Sequence, residues 1–341
     1  DFNFKGAGSY IDIEDLSAEI NLLNFIETNS GLSLSKLQAE FLGKDSLLKS
    51  NRLHLVLNQS DIQIRDAHYH LVTGEFAANL NSKQLDPKDV GIFYSPLSGL
   101  ENMFTFNIEA NGKLPEANLS KLELEYGSNT KMDISGMISD YSNFNNSDLR
   151  VNINKLRFSQ DDLESIIKVW APQYNSPQQL LALGNLDLVL TAAGKLNQFK
   201  YRGNIITEQG DVNLNGTGRI STGFKNLSFE GPVAINNIRL ANIIGESPGL
   251  GNATMFANAK VNIPTDSLLS VAADGYFESL QYKGFEYNDL SFNGVYKENN
   301  VSANFEMDSP NNQFNIFGDV TFGDQLGFSK NVKLIIWGIH F

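Results

Sequence analysis

Apolar and polar residues alternate with a period of two along most of this chain. Leu186, Leu188 and Leu190 alternate with Asn185, Asp187 and Val189, and Val212 and Leu214 with Asp211, Asn213 and Asn215. The rhythm returns at Leu227/Phe229, Val233/Ile235, Val301/Ala303/Phe305/Met307 and Phe314/Ile316. It is already present at Leu53/Leu55/Leu57, Ile62/Ile64, Leu122/Leu124/Tyr126 and Val151/Ile153. Each run is short, roughly five to seven residues, and ends in Gly, Asn or Asp, which reads as a half-apolar strand followed by a tight turn. Roughly 16–20 such strands fit the length.

Three segments carry a helical period instead. In Leu85-Asp86-Pro87-Lys88-Asp89-Val90, Pro87 suits the first helical position and Pro96 follows closely. Ser159-Gln160-Asp161-Asp162 supplies a cap and acids at the positive end of the helix dipole. There Leu163, Ile166, Ile167 and Trp170 share a face until Pro172. The third helix is expected over Ile238–Gly245, closed by Pro248. Val90, Leu163 and Leu240 are 73 and 77 residues apart, a near-constant spacing that signals a repeat of several strands and one helix.

Such strands leave an apolar face to be covered. A sandwich or a closed barrel would cover it with protein, and a trough would leave it for an apolar guest. About 17 strands at roughly 4.8 Å each would make a ribbon near 80 Å long.

Composition narrows the choice. At 341 residues the chain exceeds what one core usually serves, so several domains or a one-dimensional array are expected. It is 41% hydrophobic and 11% aromatic, sufficient for a packed or lipid-facing interior. With 26 basic and 39 acidic residues its net charge is −13, which repels phosphate backbones and makes nucleic acid an unexpected partner. The absence of cysteine excludes thiolate metal sites, disulfides and cysteine nucleophiles, and is compatible with an oxidising compartment. No run approaches the roughly 18 apolar residues of a membrane-spanning helix. Asp1–Gly6 has neither the basic nor the apolar region of a signal peptide, so the chain reads as an internal fragment.

No motif points to catalysis. Gly245-Glu246-Ser247-Pro248-Gly249 spells a nucleophile elbow, but Pro248 lacks the N–H that an oxyanion hole needs. Asp211-x-Asn213-x-Asn215-Gly216 copies half an EF-hand loop, yet the twelfth position is Thr222 in place of a bidentate Glu. His68 and His70, with His54 nearby, lack a visible third ligand and read as a polar strand face. Sequons at Asn58, Asn118, Asn215, Asn226, Asn252 and Asn300 carry little weight in a chain rich in Asn and Ser. The expectation is of no enzyme, cofactor or metal.

From Leu183 to Phe322 the order of pieces resembles a known family. Gly184-Asn185-Leu186-Asp187-Leu188 is followed by Tyr201-Arg202-Gly203 and Gly210-Asp211-Val212. The run from Ala273 to Leu290, through Tyr282-Lys283-Gly284-Phe285-Glu286-Tyr287-Asn288-Asp289, continues to Asn293-Gly294-Val295-Tyr296 and Asp308-Ser309-Pro310-Asn311. This resembles the translocation and assembly module (TamB) family in its Bacteroidota form, within the AsmA-like repeating β-groove superfamily. The resemblance implies an apolar groove that holds phospholipid acyl chains. It also implies a periplasmic location in a diderm bacterium and a parent protein anchored in the inner membrane with an outer-membrane barrel partner. Its implied work is moving phospholipid between the membranes and supporting outer-membrane biogenesis, including protein translocation and assembly. The anchor helix and the domain that meets the partner are not seen, and Val332–Phe341 departs from the pattern.

The expected fold is therefore all-β: an elongated, curled, taco-like antiparallel β-groove with about three short helices. It forms one array over residues 1–341, with approximate repeats 1–83, 84–158, 159–237 and 238–341. Lipid contacts are expected at Leu186, Leu188, Leu190, Val212, Leu214, Leu227, Phe229, Val233 and Ile235, and at Val271, Phe305, Phe314, Ile316, Val320 and Phe322. Two alternatives stand beside this reading. One is an outer-membrane β-barrel, suggested by alternation at Ile335, Trp337, Ile339 and Phe341 but disfavoured by short strands and by helices. The other is a closed β-sandwich adhesin or carbohydrate-binding module.

Overall fold

The computed structural model describes residues 15–27, 32–92, 94–127, 129–143, 146–170, 181–244, 249–265, 269–297, 300–309, 312–321 and 329–331. The chain divides into two units. One comprises residues 1–142 and 165–174, the other 143–164 and 175–341.

The first unit is an antiparallel meander in which each strand pairs with its sequence neighbours. Its strands are β1 (Asp15–Glu27), β2 (Leu32–Lys44), β3 (Leu47–Leu57), β4 (Ser60–His70), β5 (Glu75–Leu85), β6 (Phe104–Lys113), β7 (Glu116–Tyr126) and β8 (Thr130–Ile138). Between β5 and β6 lie helix α1 (Pro87–Gly91) and a 3-10 turn, Ser95–Gly99. The second unit repeats the plan. It holds β9 (Asp148–Phe158), β10 (Leu186–Lys195), β11 (Gln198–Thr207), β12 (Asp211–Ile220), β13 (Asn226–Arg239), β14 (Leu250–Pro264) and β15 (Ser270–Tyr282). These continue into β16 (Phe285–Tyr287), β17 (Leu290–Lys297), β18 (Asn300–Ser309), β19 (Asn312–Thr321) and β20 (Ser329–Asn331). Among the described residues no ladder joins β1 to β8 or β9 to β20, so each unit is an open, curled ribbon.

Local chemistry explains the turns. Asp45 and Ser46 link β2 to β3 with φ of 49° and 65°, the doubly positive geometry that matches a hairpin's twist. Lys283 and Gly284 do the same before β16, with φ of 51° and 80°.

The helices recur after every fourth strand: α1, then β6–β9, then α2 (Gln160–Trp170), then β10–β13, then α3 (Leu240–Ile244). Asp86 caps α1 by accepting the N–H of Lys88, with Pro87 next, and Ser159 caps α2 by accepting the N–H of Asp162. The third helix starts later than its apolar period suggests, because Ile238 and Arg239 still pair with Ala253 and Asn252 as strand. The strands are also longer than their alternating runs. Most have 8 to 15 residues, since polar residues flanking each run still ladder with a neighbour. Short strands therefore give no argument against a barrel; the open edges of each ribbon do.

Candidate functional site: the apolar faces

Directly opposed residues of an antiparallel pair share a face, so the registers trace each face across a ribbon. In the first unit one row runs Ile20, Ala39, Leu53, Ile64, Leu80, Ile108, Leu122, Ile134, one residue from each of eight strands. Ala39 is buried and the others are half-buried. In this row Ile20, Ala39, Leu80, Ile108 and Ile134 stand outside the alternating runs noted in the sequence. The opposite face carries His54, Gln63, Asn81, Asn107, Glu123 and Asp133 in register.

In the second unit the expected contact residues fall on a single face. Leu188 lies opposite Ile205 and, through it, Val212 and Ile235; Leu190 reaches Leu214 and Val233 across Gly203. Phe229 reaches Val271 across Val261, and Leu227 lies opposite Ile220 and Ile263. Leu186 pairs with Phe158 and Thr207, Phe305 with Ile316, Phe314 with Met307, and Val320 with Val301. Leu186, Leu188, Leu190, Val212, Leu214, Leu227, Phe229, Val233, Ile235, Val271, Phe305, Phe314 and Ile316 are all half-buried, and none is fully covered. Phe322 lies outside the described residues, as do Gly245–Pro248 and 332–341.

The registers also reveal a row that sequence reading missed. Gly231, Ala259, Ala273, Gly294, Ala303 and Gly318 are successively opposite one another from β13 to β19. On one side stand Phe229, Val261, Val271, Tyr296 and Val301, and on the other Val233, Ala257, Gly275, Phe292, Phe305 and Ile316. Small residues flanked by larger apolar ones leave a shallow furrow across the strands, wider at β14 and β15 where Ala257 and Gly275 form one side. Six strands at about 4.8 Å spacing make it roughly 24 Å long. Backbone closeness requires the small residues in places: a Cβ on Gly231 would lie 2.2 Å from the carbonyl oxygen of Asn215. Each member comes from a different strand, so no local sequence signal marks the row.

Two buried clusters flank it. Ile238, Ala253, Phe277, Leu290 and Met307 form one, packed by Leu240 and Ile243 of α3. Ala192, Phe199 and Tyr201 form the other, with Phe229 edge-on to both rings. Phe199 covers Gly218, filling the space a side chain would take. Burial pushes the Tyr201 phenol above its ordinary pKa.

The polar faces carry solvent-facing cross-strand ion pairs. In the second unit Arg157 grips both carboxylate oxygens of Asp187 at 2.6 and 2.8 Å, and Lys195 meets Asp148 at 3.0 Å. The hydrogen bond and charge of Asp187 raise the Arg157 pKa. Asp211, Asn213 and Asn215 lie along β12 as strand residues, with Asn213 accepting from Asn204. His70 Nδ1 accepts the N–H groups of Val72 and Thr73 in a turn, while His54 Nε2 lies 3.0 Å from Asp61. Among the described residues no three His, Asp or Glu side chains converge on a metal position. No protein-family model, curated protein or solved structure matches the chain.

Proposed function

We propose that the chain is a lipid-binding β-groove segment whose apolar faces receive phospholipid acyl chains. The observation that carries this reading is the uniform half-burial of the thirteen apolar side chains on one face of the second unit. A sandwich core would bury such residues. Each methylene taken from water contributes about 0.8 kcal/mol. A furrow floored by Gly and Ala and walled mostly by aliphatic and aromatic side chains presents an apolar surface from β13 to β19. An acyl chain can then slide along it without a deep well, and no covalent chemistry or cofactor is needed. Together with the resemblance to the TamB family, this supports a periplasmic protein of a diderm bacterium. Its parent is anchored in the inner membrane, reaches an outer-membrane barrel partner and passes phospholipid between the membranes, in support of outer-membrane biogenesis.

The test is native mass spectrometry with lipid extraction on the chain purified from bacteria without detergent. Phospholipid should co-purify with the parent chain. Val233→Asp and Ile316→Asp, which charge the walls outside the two buried clusters, should abolish it while circular dichroism is preserved. Charging Phe229 or Ile235 is less informative, because both pack against those clusters. A lipid-free parent chain, or lipid retained by both variants, refutes the proposal. A requirement for detergent to stay in solution would favour the barrel.

A further inference from the structure

A concavity in the second unit is lined mainly by the polar face, opposite the furrow. It measures about 670 Å³ and draws on β11 to β15. It opens where the ladder between β12 and β13 is interrupted, between the Leu214/Val233 and Thr217/Glu230 pairs. The interruption coincides with Gly231-Pro232, and Pro232 has no N–H to offer a partner strand.

Two rows line it. Arg202 opposes Asn215 and, beyond Pro232, Asn258 opposes Asp274. Beside this polar row, Phe256 opposes Tyr276 with ring centroids 5.6 Å apart and planes stacked at 30°. Tyr276 is 44% exposed, which places an aromatic platform at the surface beside the polar row. Elsewhere on this face, opposed charges are paired, as in Arg157–Asp187 and Lys195–Asp148. Among the described residues, the side chains of Arg202, Asn215, Asn258 and Asp274 make no hydrogen bond or ion pair with the protein.

The chemistry of this set selects its ligand. Arg202 and Asp274 cancel in charge, and the amides offer donors and acceptors together, as vicinal hydroxyls require. A phosphoryl group would face Asp274 and a chain of net charge −13. An acyl chain would strand four polar groups. The ring pair supplies the flat apolar surface that the C–H face of a pyranose needs. We propose that this concavity is a binding site for a neutral saccharide, with Phe256 and Tyr276 as the stacking platform and Asn258 and Asp274 as hydroxyl partners. Its platform and polar partners lie on the face opposite the furrow, although Leu214, Val233, Ala257 and Gly275 of the furrow face also border it. The proposal does not depend on the lipid reading.

Titration of the full chain with chitotriose and with cellotriose, followed by calorimetry and amide NMR, tests it, with inorganic phosphate as the control. Saturable binding of at least one sugar is expected, with shifts confined to β11–β15. Tyr276→Ala should weaken it about tenfold, a 1.4 kcal/mol change, and Asn258→Ala and Asp274→Asn severalfold, whereas Lys131→Ala in the first unit should not. The Asn258 and Asp274 variants alter exposed side chains, so they separate loss of binding from loss of fold. The proposal fails if neither sugar saturates up to about 10 mM, ten times a weak millimolar Kd. It also fails if phosphate competes, or if the three variants bind as the parent does. Lipid co-purification should be indifferent to Tyr276→Ala, so the two proposals stand or fall separately.

Discussion

Replacing Asp89 with Ala should release α1 from the turn between β3 and β4. Asp89 is 5% exposed, and its carboxylate accepts from Asn58 Nδ2 at 2.7 Å, Ser60 Oγ at 2.7 Å and the Gln59 N–H at 3.2 Å. Ser60, 1% exposed, in turn accepts the N–H of Asp86 at the helix cap, so the carboxylate ends a short buried relay. A hydrogen bond to a charged group contributes about 1.5–3 kcal/mol, and a buried donor left unmade costs about 1–3 kcal/mol. The two short bonds dominate, and exposed Asn58 can turn to water. The expected loss for Asp89→Ala is therefore about 3–5 kcal/mol, while Asp89→Asn, which keeps one acceptor, should cost less. At about 2–4 °C per kcal/mol for a unit of this size, the unfolding midpoint should fall by roughly 10 °C. Urea unfolding monitored by circular dichroism measures the loss, and a double-mutant cycle with Ser60→Ala should return a coupling of about 0.5–3 kcal/mol. A loss under about 1 kcal/mol for Asp89→Ala, or zero coupling to Ser60, would refute the relay.

Other consequences are as direct. A Cβ on Gly275 would lie 2.0 Å from the carbonyl oxygen of Phe256 and 2.7 Å from the Cα of Ala257. Gly275→Val should therefore destabilise by about 1–3 kcal/mol. At Gly318 nothing lies within 4 Å of a new Cβ, so Gly318→Ala should be neutral or stabilising by up to about 1 kcal/mol; equal melting curves for the two variants would contradict the register. The raised phenol pKa of Tyr201 means that the unfolded chain loses this proton at lower pH than the folded one. Its contribution is complete below the ordinary tyrosine value of about 10 and is lost as pH rises through the folded value. Ultraviolet titration should show a late phenolate component that is lost in Tyr201→Phe, and alkaline unfolding should be shallower in that variant. Arg157→Ala, at a solvent-facing pair, should leave the melting curve unchanged within error, because exposed ion pairs contribute little.

What the chain's order of residues determined alone was parity. That Leu186 and Asp187 lie on opposite faces follows from the alternation itself, because successive side chains of a strand must point to opposite sides of the sheet. Helix starts were equally local: Asp86-Pro87 and Ser159 carry their caps within the same turn. Strand ends were not, since Ile238 and Arg239 remain extended only because Ala253 and Asn252 lie alongside. The division into two units, the furrow from Gly231 to Gly318 and the stacked pair Phe256–Tyr276 beside Asn258 and Asp274 belong to the tertiary structure. Each joins residues from different strands, and which residues meet is set by the register of every intervening hairpin, bulges included. No short window of sequence carries that sum.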